Sequence, residues 1–269
     1  MTSSEVPIRR ALTIAGSDSG GGAGIQADLK AFAACGVHGM TAITAITAQS
    51  TVGVDAIEAV SPAMIRAQVR AVARDIGVDA VKIGMLGSAE TIAAVAQALD
   101  ELVEITGQAP PVVLDPVMVS ESGARLLAPD AREALVAQLL GRVTVATPNL
   151  PEARVLAGAQ EDTDAAALAR AIHRLGPAVV VVTGGHRAEA VDLFYDGSQL
   201  VEIAGERFAP DAAHGSGCTH SSVLAARLAR GDTPLQAARV ARRRAGEAVR
   251  DGLRSIGAGA GPVDILSIG

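Results

Sequence analysis

The chain has 269 residues, 49% of them apolar, 19% charged and 1% aromatic, and a formal net charge of −6. This composition excludes a disordered chain, and an acidic balance with no Trp and no basic run denser than Arg242 to Arg244 argues against a nucleic-acid surface. The polar opening MTSSEVPIRR, the absence of any run of 18 uncharged apolar residues, and only two cysteines, Cys35 and Cys218, without metal-ligand spacing fit a reduced cytoplasmic protein that is neither exported nor membrane-inserted.

Short apolar runs bounded by Gly, Asp, Asn or Pro alternate with longer Ala-rich amphipathic stretches, the pattern of strands joined by helices in a mostly parallel sheet. Residues 1–10 are expected to be flexible. Strands are predicted near 11–15, 41–47, 79–83, 112–115, 143–147 and 178–183, with helices at 23–35, 62–76, 89–105, 130–140, 150–157 and 164–175. The segment 190–204 breaks the rhythm: two alternating runs around Asp196-Gly197 predict an antiparallel edge hairpin. A loop then leads from His214 into a helix, and a last helix is expected at about 233–251, with Pro234 in its first turn and an irregular glycine-rich tail behind it. No repeat, linker or composition shift divides the chain, which reads as one α/β domain spanning 1–269.

Two glycine-rich turns stand where a strand hands over to a helix. The first, Gly16 to Gly24, is not a Walker A loop, because Gly22 and Ala23 occupy the Lys and Ser/Thr positions. A dinucleotide fingerprint, Gly22-Ala-Gly24-Ile-Gln-Ala27, lacks its acid, since Gln49 is the polar residue at the end of the next strand. The second turn, His214-Gly-Ser-Gly-Cys-Thr219, sets small residues and free backbone N–H groups at a helix start, which suits an anion, although Gly-Ser-Gly also serves as a plain cap. Cys218 beside these amides is expected to have a lowered pKa and to act as a base, with an inert buried thiol as the alternative. Asp115, Asn149 and Glu152 fall at the carboxyl ends of strands, where magnesium and phosphates are managed in such sheets. Asn149 and Glu152 equally form a capping box, and the two roles are compatible.

Taken together, seven segments resemble the hydroxymethylpyrimidine/phosphomethylpyrimidine kinases of thiamin biosynthesis: Thr13 to Lys30, Thr44 to Gln49, Lys82-Ile-Gly-Met-Leu86, Leu114-Asp-Pro-Val-Met118, Thr147-Pro-Asn-Leu-Pro-Glu152, Thr183-Gly-Gly-His186 and His214-Gly-Ser-Gly-Cys-Thr219. The resemblance implies a three-layer α/β/α ribokinase-like fold, with a mostly parallel central sheet and an antiparallel edge hairpin. It also implies ATP- and Mg2+-dependent phosphorylation of an aminopyrimidine alcohol and then of its monophosphate. By the same resemblance, Gln49 bonds the pyrimidine ring, Ala23, Met85 and Val117 form its walls, and Gly215, Ser216 and Gly217 form the anion hole, with Cys218 as base. Asp115 and Glu152 would manage the metal, and Asn149 and Thr183 the nucleotide.

Three positions depart from the family pattern. Ser216 stands for the common Thr, Thr183 for a frequent lysine, and Glu121 for another. Only Lys30 and Lys82 exist as lysines, and neither is expected to substitute, which leaves magnesium, the amides and Arg187 or Arg125 to neutralise the triphosphate. Two other functions compete: a pyridoxal-type vitamin kinase, whose members typically carry Asp at the position of Cys218, and a non-catalytic pyrimidine-binding protein. The oligomeric state stays open, a homodimer included.

Overall fold

The computed structural model describes residues 7–120, 123–124, 126–128, 131–184 and 190–269. Nine strands form one sheet in the order β3-β2-β1-β4-β5-β6-β7-β8-β9. They are β1 (Arg10–Asp18), β2 (His38–Gln49), β3 (Val54–Ala59), β4 (Ala80–Ile83), β5 (Val112–Leu114), β6 (Val145–Ala146), β7 (Val179–Val182), β8 (Val191–Tyr195) and β9 (Leu200–Ala204). Pairing is parallel from β2 through β7 and antiparallel at both ends, where β3 joins β2 and the β8–β9 hairpin joins β7. The hairpin lies where the Asp-Gly turn puts it; the antiparallel β3 at the opposite edge is an element the sequence did not announce.

The helices are α1 (Gly24–Ala34), α2 (Pro62–Asp75), α3 (Ala89–Thr106), α4 (Ala131–Ala134), α5 (Leu150–Ala157), α6 (Ala165–His173), α7 (Ser216–Ala229) and α8 (Pro234–Arg250). Side-chain caps start several of them: Ser61 accepts from Met64 N, Ser88 from Thr91 N, and Thr233 and Gln236 close a capping box behind Pro234. The helix expected at 130–140 is instead one α turn followed by a π-helical turn, Leu135–Leu139, whose two terminal leucines are both buried.

Because both faces of the parallel strands are covered, their apolar runs divide residue by residue between two cores. Leu12, Ile14, Val112, Leu114, Val180 and Val182 join Ile65, Val69, Ile92, Leu99 and Leu168 from α2, α3 and α6 on one face. Ala11, Val113, Val179 and Val181 join Phe32 of α1 and Val223, Leu224, Ala237 and Ala241 of α7 and α8 on the other. The alternation breaks at Thr13 and Lys82, which point at the α1/α7 face and are buried there with Asp28. Among the described residues no helix is long and apolar enough to cross a membrane.

Candidate active site

A cleft of about 300 Å3 opens at the carboxyl ends of the parallel strands and the start of α7, where ligands collect in sheets of this kind. The structure brings all twelve sequence-nominated residues to it: Ala23, Gln49 and Met85; Asp115, Val117, Asn149 and Glu152; Thr183; and Gly215, Ser216, Gly217 and Cys218.

The two glycine loops interlock. A Cβ on Gly22 would sit 2.1 Å from His214 Cδ2, and one on Gly215 would sit 1.8 Å from the Gly22 carbonyl oxygen. Gly215 has φ 82°, a left-handed conformation that also favours glycine, and precedes α7 without a side-chain cap. Asp18 knits the arrangement together, accepting from the amides of Gly20 at 2.8 Å, Gly22 at 3.1 Å and Ala23 at 2.8 Å, while His214 Nε2 lies 3.1 Å from its Oδ2. Burial opposes the Asp18 charge, but His214 and these amides hold its carboxyl below the usual range. At the start of α7 the Ser216 amide turns back to the Ala213 carbonyl and the Thr219 amide to Gly215, leaving the Gly217 and Cys218 amides as the intrahelically unpaired donors that face the cleft. A Cβ on Gly217 would meet nothing within 4 Å.

Beneath this rim lies a cation. Lys82 is fully buried, its Nζ 2.9 Å from Asp28 Oδ1 and 3.9 Å from Asp115 Oδ2, and Asp28 also accepts from Thr13 at 2.6 Å and Ser222 at 2.7 Å. Burial opposes its charge, but Asp28, Cys218 and Asp115 raise its pKa, so the ammonium is retained. Lys82 lines the cleft floor, with its ammonium already engaged by Asp28. The lowered pKa expected for Cys218 is corrected. Cys218 is half-buried where it lines the cleft, and burial pushes its thiol up to about 12, with Lys82 opposing and Asp115 and Asp28 adding to the rise. Burial is the largest cause, and neither the Lys82 ammonium nor the Gly24 amide offsets it. Lys30 is occupied at the rim, donating to the Gly21 carbonyl at 2.8 Å.

On the opposite wall Asn149 and Glu152 form the capping box of α5, with the Asn149 amide donating to Glu152 Oε2 at 3.0 Å and the Glu152 amide to Asn149 Oδ1 at 2.9 Å. Capping does not exhaust Glu152. Burial and then Asp115 raise its pKa to about 8, against the Asn149 and Met118 amides. Asp115 is raised too, by burial first and by Asp28, with Lys82 and Ser221 opposing. Two buried carboxylates whose charges are opposed by burial and by a neighbouring carboxylate, Asp28 for Asp115 and Asp115 for Glu152, mark a place where a cation is favoured. Among the described residues no group of three His, Cys, Asp or Glu is placed to hold a metal ion by itself. The pair therefore fits magnesium arriving on phosphate oxygens with its waters, the usual manner of that ion, better than a fully protein-caged metal.

Gln49 ends β2 with its Oε1 accepting from Thr47 Oγ1 at 3.3 Å and its backbone clasped by Ser19. Thr183 bridges to Asn149 at the tips of β7 and β6. Beyond it Asp192 accepts from the Gly184 amide at 2.8 Å and lies 3.0 Å from His220 Nε2 and 3.7 Å from Arg242 Nε. Burial opposes its charge, while His220, Arg242 and that amide lower its pKa. Arg242 lines the cleft, whereas Glu121, Arg125 and Arg187 lie outside the described residues.

The family model described as phosphomethylpyrimidine kinase matches residues 18–264. The chain belongs to this family. It is 48% identical over 259 residues, 94% of its length and 95% of the relative's, to the hydroxymethylpyrimidine/phosphomethylpyrimidine kinase of Rhizobium meliloti. Its backbone is similar to the ADP complex of Bacillus subtilis pyridoxal kinase, with a TM-score of 0.87 and 37% identity over 97% of this chain and 99% of that one. It is also similar to the phosphomethylpyrimidine kinase of Clostridium difficile, with a TM-score of 0.75 and 40% identity over 88% and 96%. The fold is thus ribokinase-like and the chain a kinase, as the motifs imply. Asp18, Lys82, Asp192, His220 and Arg242 are cleft residues that motif reading left without a role. For Asp18 a signal existed, an acid inside a glycine loop whose amides need an acceptor.

Proposed function

We propose that the protein transfers the γ-phosphoryl group of ATP to 4-amino-5-hydroxymethyl-2-methylpyrimidine and then to the resulting monophosphate, in the cytoplasm. The observation that carries this reading is the convergence of an amide-lined helix start, a buried carboxylate pair and the polar Gln49 at the end of β2 in one cleft. Gln49 offers a donor and an acceptor to a ring nitrogen and its adjacent amino group. Ala23, Met85 and Val117 wall the ring, which fixes the hydroxymethyl oxygen toward α7. The Gly217 and Cys218 amides, presented by Gly215 and Ser216, receive the charge of the transferred group. Asn149 and Thr183 hold the nucleotide side.

Asp115 and Glu152 would hold Mg2+, which when bound neutralises phosphate charge. In the transfer the substrate oxygen forms a bond to the γ-phosphorus as the bond to the ADP oxygen breaks, and the hydroxyl proton passes to Cys218. Lys82 favours the thiolate that this requires, against burial and the Asp115 and Asp28 carboxylates.

A second reading, a pyridoxal-type kinase, is favoured by the backbone likeness to the pyridoxal kinase of Bacillus subtilis. Steady-state ADP release with the pyrimidine alcohol, its monophosphate and pyridoxal separates them: the proposal expects higher kcat/KM for both pyrimidines, and preference for pyridoxal overturns it.

A further inference from the structure

α1 and α7 both begin in the cleft, at Gly24 and Ser216, and both end at a second concavity of about 320 Å3. The 14 residues of α7 put about 20 Å between the two places. Cys35 and Gly36 at the end of α1, Arg227 and Arg230 at the end of α7, and Arg243 and Arg244 from α8 line this second concavity.

Arginines at helix C-termini are ordinary, because the last carbonyls and the dipole favour cations there. That accounts for two of the four. Arg230 Nη1 donates to the Cys35 carbonyl at 2.6 Å, and Arg227 Nε lies 2.6 Å from Asp232 Oδ2. It does not account for Arg243 and Arg244, which come from the middle of α8. Arg244 has Glu247 only at 4.0 Å, and Arg243 has no ion-pair partner among the described residues. Gly36, at φ 68°, leaves the Arg230 guanidinium room that a Cβ would take, at 3.3 Å from its Nη1. Arg227, Arg230 and Arg244 line the same concavity as Cys35, and although burial raises the Cys35 thiol all three oppose that rise. In a chain of net charge −6, four arginines around one concavity, of which Asp232 closely pairs only Arg227, create a local positive potential.

We propose that this concavity is a binding site for a small polyanion of the phosphate class, held by Arg227, Arg230, Arg243 and Arg244 and separate from the cleft. Guanidinium forks match phosphate oxygens two at a time. No aromatic side chain lines the concavity to stack a base, so recognition rests on charge and fork geometry.

The chain's two cysteines report the two sites independently, Cys35 in the concavity and Cys218 in the cleft. Labelling with uncharged N-ethylmaleimide, read peptide by peptide by mass spectrometry, is followed against inorganic pyrophosphate. Saturable slowing at Cys35 by about fivefold or more is expected. Arg243→Gln/Arg244→Gln should need about tenfold more pyrophosphate for the same protection, one lost charge-assisted contact or more, while Cys218 labelling and turnover without pyrophosphate stay as in the wild type. Protection confined to Cys218, equal protection by sodium chloride at matched ionic strength, or protection unchanged in the double variant overturns the site. Should Cys35 label too slowly to follow, calorimetric titration with pyrophosphate decides: a binding event present in the wild type and missing from the double variant supports the site, and identical isotherms overturn it.

Discussion

The two walls of the cleft are built on opposite electrostatic terms. On the glycine side the polar groups are already matched: the Asp18 carboxylate is held by three amides and His214, and the Gly22 and Gly215 backbones touch. On the β5–β6 side Asp115 and Glu152 are buried, Asp28 raises Asp115 and Asp115 raises Glu152, and the pair is only partly offset by Lys82, Ser221 and the α5 cap. One wall is finished without ligand; the other gains its counter-charge from what binds. The difference teaches that substitutions on the first wall act through shape, whereas those on the second act through charge and answer to magnesium.

The largest expected effect tests the shape half of this contrast. Gly215→Val drives a branched side chain into the Gly22 carbonyl at a left-handed position, and displacing the amides should lower kcat/KM by roughly 10²–10³-fold in protein that circular dichroism shows to be folded. Gly217→Ala, whose Cβ meets only open cleft, should keep wild-type stability and disturb nucleotide affinity alone; equal damage from both would erase the distinction.

Asp115→Asn tests the charge half. Activity should fall on the order of 10²-fold and partly recover at raised magnesium, and a loss indifferent to magnesium would reject the metal role. Cys218→Ala should lower kcat by about 10²-fold with nucleotide Kd preserved, the contribution of one positioned base. A wild-type rate would leave the thiol, with its pKa near 12, as a packing group.

Smaller effects sharpen the picture. Gln49→Leu should weaken calorimetric binding of the unphosphorylated pyrimidine alcohol by about 1–3 kcal/mol; an unchanged Kd would take Gln49 out of ring recognition. Glu152 binds its proton more tightly when folded, at about 8 against an ordinary 4.5, so ligand-free stability falls as pH rises between those values. Glu152→Gln preserves an N3 side chain able to close the capping box and removes the titration, so its melting temperature should decline less steeply over that window, by a few degrees. Parallel profiles for the two proteins would show that the carboxyl is not held protonated.

Apolar periodicity and turn chemistry made the parallel strands, most helices and the Asp196-Gly197 hairpin legible, because each is a local signal. β3 was not, since five of its six residues are exposed and no apolar face marks it; only pairing with β2 makes it a strand. The π turn at Leu135–Leu139 likewise answers to the core rather than to propensity. In the site, motif positions were readable as far as the cleft, but environments were not. Lys82 sits in an apolar run, and its partner Asp28 is 54 residues away. The pKa of Cys218 depends on that buried group and on Asp115, and neither is visible from a helix start rich in amides.

The clasp between Asp18 and His214 joins residues 196 positions apart. A chain leaving the ribosome therefore exposes its first glycine loop through most of its synthesis, with neither the histidine that compensates Asp18 nor the backbone that packs on Gly22. Catalytic competence then arrives late and abruptly, once α7 has emerged and docked, and a chain cut short before His214 holds every strand of the sheet but no working kinase.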